Sequence, residues 1–481
     1  MEQSVTKRIA KNFSWLLAGN IASGLINFFT IVYIARVLGA ATFGLLQFAM
    51  AFLLYLVIIV DSGLSTYGSR EIAQNRSEAG RISINIFSLR LMLALATFFL
   101  SLLVLLTIPI SSVLRLLFTV AFLLVFYRAL NADWVFQGLE RLEYVAISKL
   151  LFSGITFLFV VLFVKGPEEL LVVPLIQFIF GLIIGVAFLV ILFRKYLRFD
   201  LKWISFASWP KVFLLAIPLG ISVIFLQIYD NLDTIILGLL DKPAIVGIYN
   251  AAYRIFYIFA GVFSLWLTTL FPVVCKRMSE NKDRTRLFLE KVMRLTLLLA
   301  IPVTLLVCLA SPLFIQLFFG DKYMLAIPAL RYLIWALVPL AISNIYGSLL
   351  LIPAGLFNQF LASVGVGALS NITLNIILIP RFSYIGAAVA TVIAQVVAGI
   401  TAFNLSKKVF RVGFLRNLFK PLIISLFSYG AFLLGFSLLS TWLPIMRLLV
   451  ANGLFVLTAG ILLVNLEREF FFGFVKEIFR K

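Results

Sequence analysis

The chain contains no histidine, only two cysteines (Cys275 and Cys308), and just 12% charged residues in 481. Without histidine, and with two cysteines far apart, there is no Cys/His metal site and no disulfide framework to expect. No GxxxxGK phosphate loop and no GxGxxG unit occurs, so hydrolysis of ATP by this chain is not expected. Long hydrophilic stretches are also missing. The longest, at about 275–292, is too short for a soluble catalytic domain, so no enzyme is expected.

What fills the space is apolar: 63% of the residues are hydrophobic. A soluble globular protein is about half apolar and about a quarter charged. A soluble fold of this length could not hide so much apolar surface, whereas a lipid-facing exterior can carry it. The apolar runs are long and continuous rather than alternating, so they predict helices and not barrel strands. Runs of spanning length fall at about 13–35, 43–66, 86–108, 114–133, 146–165, 171–193, 212–239, 246–274, 293–318, 327–352, 358–379, 384–405, 419–441 and 445–465. Each can cross a hydrocarbon core of about 30 Å. The expectation is an all-α polytopic membrane protein with fourteen transmembrane helices. The first run reads as a retained helix, not a removed signal peptide. The least distinct breaks lie at Ser111–Ser112 and Pro353–Asn358.

The formal net charge is +20. In a soluble protein that would suggest a nucleic-acid partner. Here the basic residues sit between the apolar runs. With the N-terminus placed in the cytoplasm and the loops assigned alternately, 29 of the 40 Lys and Arg fall in inside segments and 8 in outside segments. The remaining three are Arg90, Arg128 and Arg254, in or at the ends of spans. A wrong span count would scramble this asymmetry from the error onward. The pattern therefore predicts both termini in the cytoplasm and removes the nucleic-acid reading.

The basic linkers at 194–211, 275–294 and 406–420 suggest a division into 1–200, 201–406 and 407–481: two six-helix lobes around a central cavity, then an additional helix pair and tail. An internal similarity agrees with it. RVLGAATFGLLQFA (36–49) and LGLLDKPAIVGIYNAA (237–252) share a glycine near the turn. Each then has a Phe–Gly or Val–Gly entry into the next helix and a polar residue shortly after, Gln47 and Asn250. Two internal repeats would produce this, as in many transporters; chance likeness of glycine-rich hairpins would too.

Charges at membrane depth carry the functional information, because a charge in hydrocarbon is costly unless it meets a partner or water. Asp230 and Asp233 stand three apart in QIYDNLDTIILG and share a helix face. They fit a proton or cation relay, and equally a structural ion pair with Arg254 of YNAAYRIFY. Asp61, before Gly63, fits a gate or a cap on the next segment. Arg90 and Arg128 fit either a cationic cavity for an anionic substrate or snorkelling at the interface. Asn371 and Asn375, four apart, fit helix packing better than a path.

Several phrases then resemble one family in order along the chain: ARVLGAATFG (35–44), DSGLSTYGSREIA (61–73), LNADWVFQGLERLEYVAISK (130–149), YDNLDTIILG (229–238), VGIYNAAYRI (246–255) and NITLNIILIPRFSYIGAAVAT (371–391). They are similar to polysaccharide-biosynthesis flippases of the O-antigen exporter type, within the multidrug/oligosaccharidyl-lipid/polysaccharide exporter superfamily. The resemblance implies alternating access between the two lobes, in the plasma membrane. The substrate it implies is an oligosaccharide on undecaprenyl diphosphate or a similar carrier, turned from the cytoplasmic to the outer leaflet. It implies a cavity in which Arg90, Arg128 and Arg254, with Tyr249 and Asn250, meet the substrate, and coupling or gating by Asp61, Asp230 and Asp233. No cofactor is implied beyond a possible H+ or Na+ gradient. The implied partners are the lipid-linked oligosaccharide, a polysaccharide polymerase and other assembly proteins, with the chain itself a monomer. A lipid II flippase and a cation-coupled multidrug antiporter are the nearest alternatives.

Overall fold

The structure, a computed structural model, describes the backbone of residues 2–413, 417–440 and 442–479, and side chains except those of 2–14, 16, 219, 221–230, 466 and 468–479. Among the described residues the chain is helical throughout, without a strand, and it divides into two compact units, Met1–Gly247 and Ile248–Lys481.

Unit 1 starts with α1 (Glu2–Asp61), 60 residues long. At about 1.5 Å per residue that is about 90 Å, three times a hydrocarbon core. The run is broken at Gly39, whose φ of 74° and ψ of 167° are not helical. A second break, at Ser62 and Gly63 (φ 42° and 84°), leads into α2 (Leu64–Gln74). Then follow α3 (Ala79–Thr107), α4 (Ser112–Phe122), α5 (Leu124–Leu130), α6 (Asp133–Gly138), α7 (Leu142–Phe163), α8 (Val172–Lys195) and α9 (Trp209–Leu240), and α10 (Pro243–Glu280) crosses into the next unit. Helix α1 packs on α7 and α9, and α2 on α6 and α9. The core between them is built from Leu64, Ile72, Phe87, Trp134, Phe136 and Val145.

The two similar hairpins meet inside unit 1. A Cβ on Gly44 would run into the Pro243 carbonyl and, at 2.8 Å, the Gly247 nitrogen; one on Gly247 would run into the Ala40 carbonyl and, at 3.2 Å, the Gly44 nitrogen. Residue 40 bears to 44 the relation that 243 bears to 247, so the contact is reciprocal, as a local two-fold produces. The polar residues that follow each glycine, Gln47 and Asn250, are both buried.

Unit 2 continues with α11 (Lys282–Phe318), α12 (Ala326–Leu333), α13 (Leu337–Tyr346) with a π-helical turn at Gly347–Leu351, α14 (Phe357–Ser406), α15 (Phe419–Leu438) and α16 (Pro444–Phe479). Helix α14 has 50 residues and breaks at Ser383 (φ 52°, ψ −137°). One core gathers Leu289, Val292, Met293, Tyr346 and Leu350, and a second joins α11 to α15 and α16 through Leu298, Ile424, Phe432 and Phe455.

Among the described residues eleven helical stretches are long and apolar enough to cross a membrane, and two of them, Leu17–Gln74 and Phe357–Ser406, are 58 and 50 residues long. Large apolar side chains cover the outside: Phe99, Leu100 and Leu103 on α3 are each at least 60% exposed. Helices apolar on the outer face as well as the inner one belong in lipid. The chain is a multi-pass membrane protein. The expected weak breaks at Ser111–Ser112 and Pro353–Asn358 coincide with real gaps between helices, Thr107 to Ser112 and Leu351 to Phe357.

Candidate functional site

In unit 1 the bend after α1 sets the position of Asp61. Gly63 has to be glycine on two counts: its φ is positive, and a Cβ would collide with the Ala216 carbonyl and the Gly220 nitrogen of α9. The bend leaves Asp61 as an acceptor for the hydroxyl of Ser65, one turn on, rather than as a cap on the α2 backbone. Its carboxylate also meets the Arg90 guanidinium of α3, with Nη2 to Oδ1 3.4 Å.

Arg90 is only 4% exposed. Its Nη2 donates to the Arg128 carbonyl at 2.7 Å, and its Nη1 to the Asn131 carbonyl at 3.4 Å. Those carbonyls belong to the last turn of α5 and the residue just beyond it, the negative end of a helix, where a cation is favourable. Arg90 thus ties α1, α3 and the end of α5 together. Its Nε finds no hydrogen-bond partner among the described residues.

Arg128 differs. Its backbone is held by Arg90, but its side chain is exposed, lies near the Tyr127 ring (5.5 Å), and has no ion pair among the described residues. The neighbouring Asn131 Oδ1 accepts from the Asp133 backbone N–H at 3.0 Å, and the Asp133 carboxylate accepts from Ser148 of α7 at 2.7 Å. A polar pocket of about 420 Å³ opens here between α2 and α6, lined by Ser65, Thr66, Ser69, Arg70, Ala73, Asn131, Asp133, Trp134 and Gln137. Ser65 and Asn131 are shared between this pocket and the Asp61–Arg90 pair. Sequence reasoning noted Asp133, Trp134 and Gln137 after Arg128 at a helix end, open between interface anchoring and the cavity, and did not assign them to the site. The available signal was four polar or amphipathic residues within NADWVFQ after an apolar span.

Asp233 lies in α9 and is 2% exposed. The side chain of Asp230 is outside the described residues. Tyr249 and Asn250 are buried near the start of α10, and Arg254, one turn further, is half-buried. The rings of Tyr249, Tyr253 and Tyr257 follow one another along the helix at 5.9 and 6.2 Å. Asn375 donates to Asn371 within α14 at 3.0 Å, both fully buried, which suits packing.

Unit 2 holds a second ionic cluster that sequence reasoning missed. Glu467 of α16 is 2% exposed. Arg294 of α11 donates to both of its oxygens, at 2.7 and 2.5 Å, and Lys420 of α15 lies 2.8 Å away.

Residues 9–278 match the family described as "Polysaccharide biosynthesis protein", and residues 218–377 match the MatE family. Among curated proteins the chain is 21% identical over 390 residues to a "Putative O-antigen transporter" of Escherichia coli (strain K12), covering 79% of this chain and 92% of that one. It is 23% identical over 477 residues to an "Uncharacterized membrane protein in cps region" of Klebsiella pneumoniae, with 95% of each covered. Among solved structures it is similar to a lipid II flippase in an inward-closed conformation, with a TM-score of 0.74 and 17% identity, covering 94% of this chain and 99% of that one. An inward-facing multidrug-resistance transporter matches with a TM-score of 0.65 and 15% identity, covering 80% and 94%. The two structural likenesses concern the fold. The family match spans more than half of the sequence, and this multi-pass membrane protein belongs to the polysaccharide biosynthesis protein family, within the multidrug/oligosaccharidyl-lipid/polysaccharide exporter superfamily.

Proposed function

We propose that the chain is a flippase of the plasma membrane that moves a polyprenyl-diphosphate-linked oligosaccharide from the cytoplasmic to the outer leaflet, for surface polysaccharide synthesis. The observation that carries this reading is Arg128. In an apolar bundle it is an exposed cation at the end of a span, in no ion pair among the described residues, and steadied from behind by the buried Arg90. A cation so placed retains an anion, and a diphosphate on an apolar chain is an anion that a membrane bundle can reach. The family and the O-antigen relative give the sugar.

The chain crosses fourteen times on this reading: the two long stretches cross twice each, and α9 adds a crossing to the eleven. Both termini lie in the cytoplasm. The lobes 1–200 and 201–406 alternate access, with 407–481 as an accessory pair. Arg254, Tyr249 and Asn250 complete the substrate cavity, and Asp61, Asp230 and Asp233 couple or gate movement to an H+ or Na+ gradient. The chain works as a monomer alongside a polysaccharide polymerase.

The test is reconstitution in liposomes with a polyprenyl-diphosphate oligosaccharide, scored by access of an outside-acting probe under imposed H+ and Na+ gradients. Transfer faster than in protein-free liposomes is expected, and transfer no faster removes the reading. Asp233→Asn should slow transfer several-fold while folded protein remains in the membrane, checked by size-exclusion profile alongside the rate. A lipid II flippase is the second reading, favoured by the structural likeness over nearly the whole chain. Lipid II transferred faster than a peptide-free oligosaccharide lipid would select it.

A further inference from the structure

Two apolar hollows indent unit 1. The larger, about 580 Å³, is a groove between the second half of α1, α3 and α4. The smaller, about 260 Å³, is a notch nearer the start of α3, where Leu89, Met92 and Leu93 face Phe206, Trp209 and Phe213. The two share only Leu93. One wall of the notch comes from the linker between α8 and α9, which is fastened to α3. Asn85 donates to the Trp203 carbonyl at 2.6 Å, and its Oδ1 accepts from the Ser205 N–H at 2.8 Å. Gly80 lets the linker approach: a Cβ there would lie 2.7 Å from the Trp203 ring and 3.0 Å from the Arg198 carbonyl. Asn85, Leu89 and Met92 follow at spacings of four and three, so the fastening point and the notch share one face of α3.

Fastened in this way, the linker leaves Phe199, Leu201 and Phe206 each more than half exposed. Arg194, Lys195, Arg198, Lys202 and Lys211 are exposed beside them. Asp200 is the one acid among them, and its carboxylate accepts from the Lys202 backbone N–H at 2.9 Å. Glu71 and Glu78 line a different pocket, together with Arg81. The charge asymmetry puts the linker on the cytoplasmic side. Exposed rings among cations at that level belong in the inner leaflet, with the rings below the headgroups and the cations among anionic phosphates. From Asn85 to Leu93 is about 12 Å along α3, from the polar linker to the apolar notch. A phospholipid of the inner leaflet runs from head to chain in the same direction.

Two features of the notch fit one bound lipid better than the bilayer at large. Trp209 is 9% exposed, and its Nε1–H has no partner among the described residues. A buried donor without an acceptor is costly, and the ester carbonyl of a lipid is an acceptor at this depth. No side chain caps the start of α9 either, because Ser208 donates instead to the Ser205 carbonyl at 2.7 Å. The positive end of a helix favours a phosphate. We propose that the notch is a site for one anionic phospholipid of the inner leaflet. Its phosphate lies at the start of α9 with Lys202 and Lys211, its ester carbonyl on Trp209, and one acyl chain against Leu89, Met92 and Phe213. This lipid is a resident of the bilayer and not the transported one, and it fastens the start of α9 to α3.

The test places the full chain in nanodiscs of phosphatidylcholine and follows tryptophan fluorescence. Brominated phosphatidylglycerol or brominated phosphatidylcholine is titrated in as the quencher. Phosphatidylglycerol should quench a saturable component at about tenfold lower fraction than phosphatidylcholine does. Trp209→Phe, which keeps an aromatic ring, should remove that component. The double variant Lys202→Gln/Lys211→Gln, at two exposed positions, should bring the two lipids to within about twofold of each other. Undecaprenyl diphosphate without bromine should leave the quenching unchanged. Equal titration by the two brominated lipids overturns the site, and so does an undiminished preference in the double variant: the linker then meets the bilayer without selecting a lipid. A component that survives Trp209→Phe places the lipid elsewhere and overturns it as well. Displacement by undecaprenyl diphosphate at equal fraction would give the notch to the carrier lipid and overturn the assignment to a resident one.

Discussion

In unit 2 the Glu467 carboxylate accepts from Arg294 on both oxygens and lies 2.8 Å from Lys420, so one buried anion is matched by two cations from two other helices. In unit 1 the corresponding cluster is looser. Arg90 reaches Asp61 at 3.4 Å, spends its other contacts on two carbonyls, and keeps an Nε without a partner among the described residues. The first arrangement is a clasp that holds α15 and α16 on α11. The second borders a polar pocket on one side and an apolar groove on the other. Burial of charge alone does not separate structural from functional clusters; the completeness of their hydrogen bonding and the space beside them do.

The largest stability effect expected is that of Glu467→Ala. It leaves two cations facing each other, but both are partly exposed and regain water, so the loss should be about 3 kcal/mol, at the low end for a broken buried pair. A lowered unfolding midpoint, with the transfer rate per folded molecule unchanged, would confirm the clasp. A variant as stable as the natural chain would remove it. Arg90→Ala should cost about 1–3 kcal/mol, from the uncapped α5 carbonyls and an unpaired Asp61, and it should also lower transfer about tenfold or more. Arg90→Lys should recover part of the stability, because an ammonium retains the charge but does not span both carbonyls and the carboxylate as a guanidinium does. If Arg90→Ala lost stability and kept full transfer, the two clusters would be alike and the contrast would fail. The smallest stability effect belongs to Arg128→Ala, below about 0.5 kcal/mol at an exposed position. Its transfer should nevertheless fall, and the fall should shrink at high salt.

Much of the fold was legible in the sequence. Lipid selects side chains that are apolar on every outward face, so a span is visible from composition alone. The breaks at Gly39 and Ser383 fall where the apolar runs pause, between 35 and 43 and between 379 and 384. The similar hairpins at 36–49 and 237–252 turned out to touch through Gly44 and Gly247. The site was legible less completely. Arg90 and Arg128 read alike, each an arginine in or at the end of a span, yet one is buried and spoken for and the other is open. Glu467 read as part of a charged tail, because its partners are 173 and 47 residues away. Trp134 read equally as an interface anchor or a cavity residue, because nothing local says that α6 packs on α2 and leaves a polar pocket beside the contact.

The sequence by itself determined that this is a many-span membrane protein, which way its basic loops face, and the family it belongs to. Hydropathy and loop charge are properties each segment carries alone, whatever it packs against. Only the tertiary structure decided which charges are satisfied and which remain available. That depends on helix faces brought together by the bends at Gly39 and Ser62–Gly63, and on where neighbouring carbonyls end up. The same residue type at the same depth became a brace in Arg90 and an open cation in Arg128 for that reason.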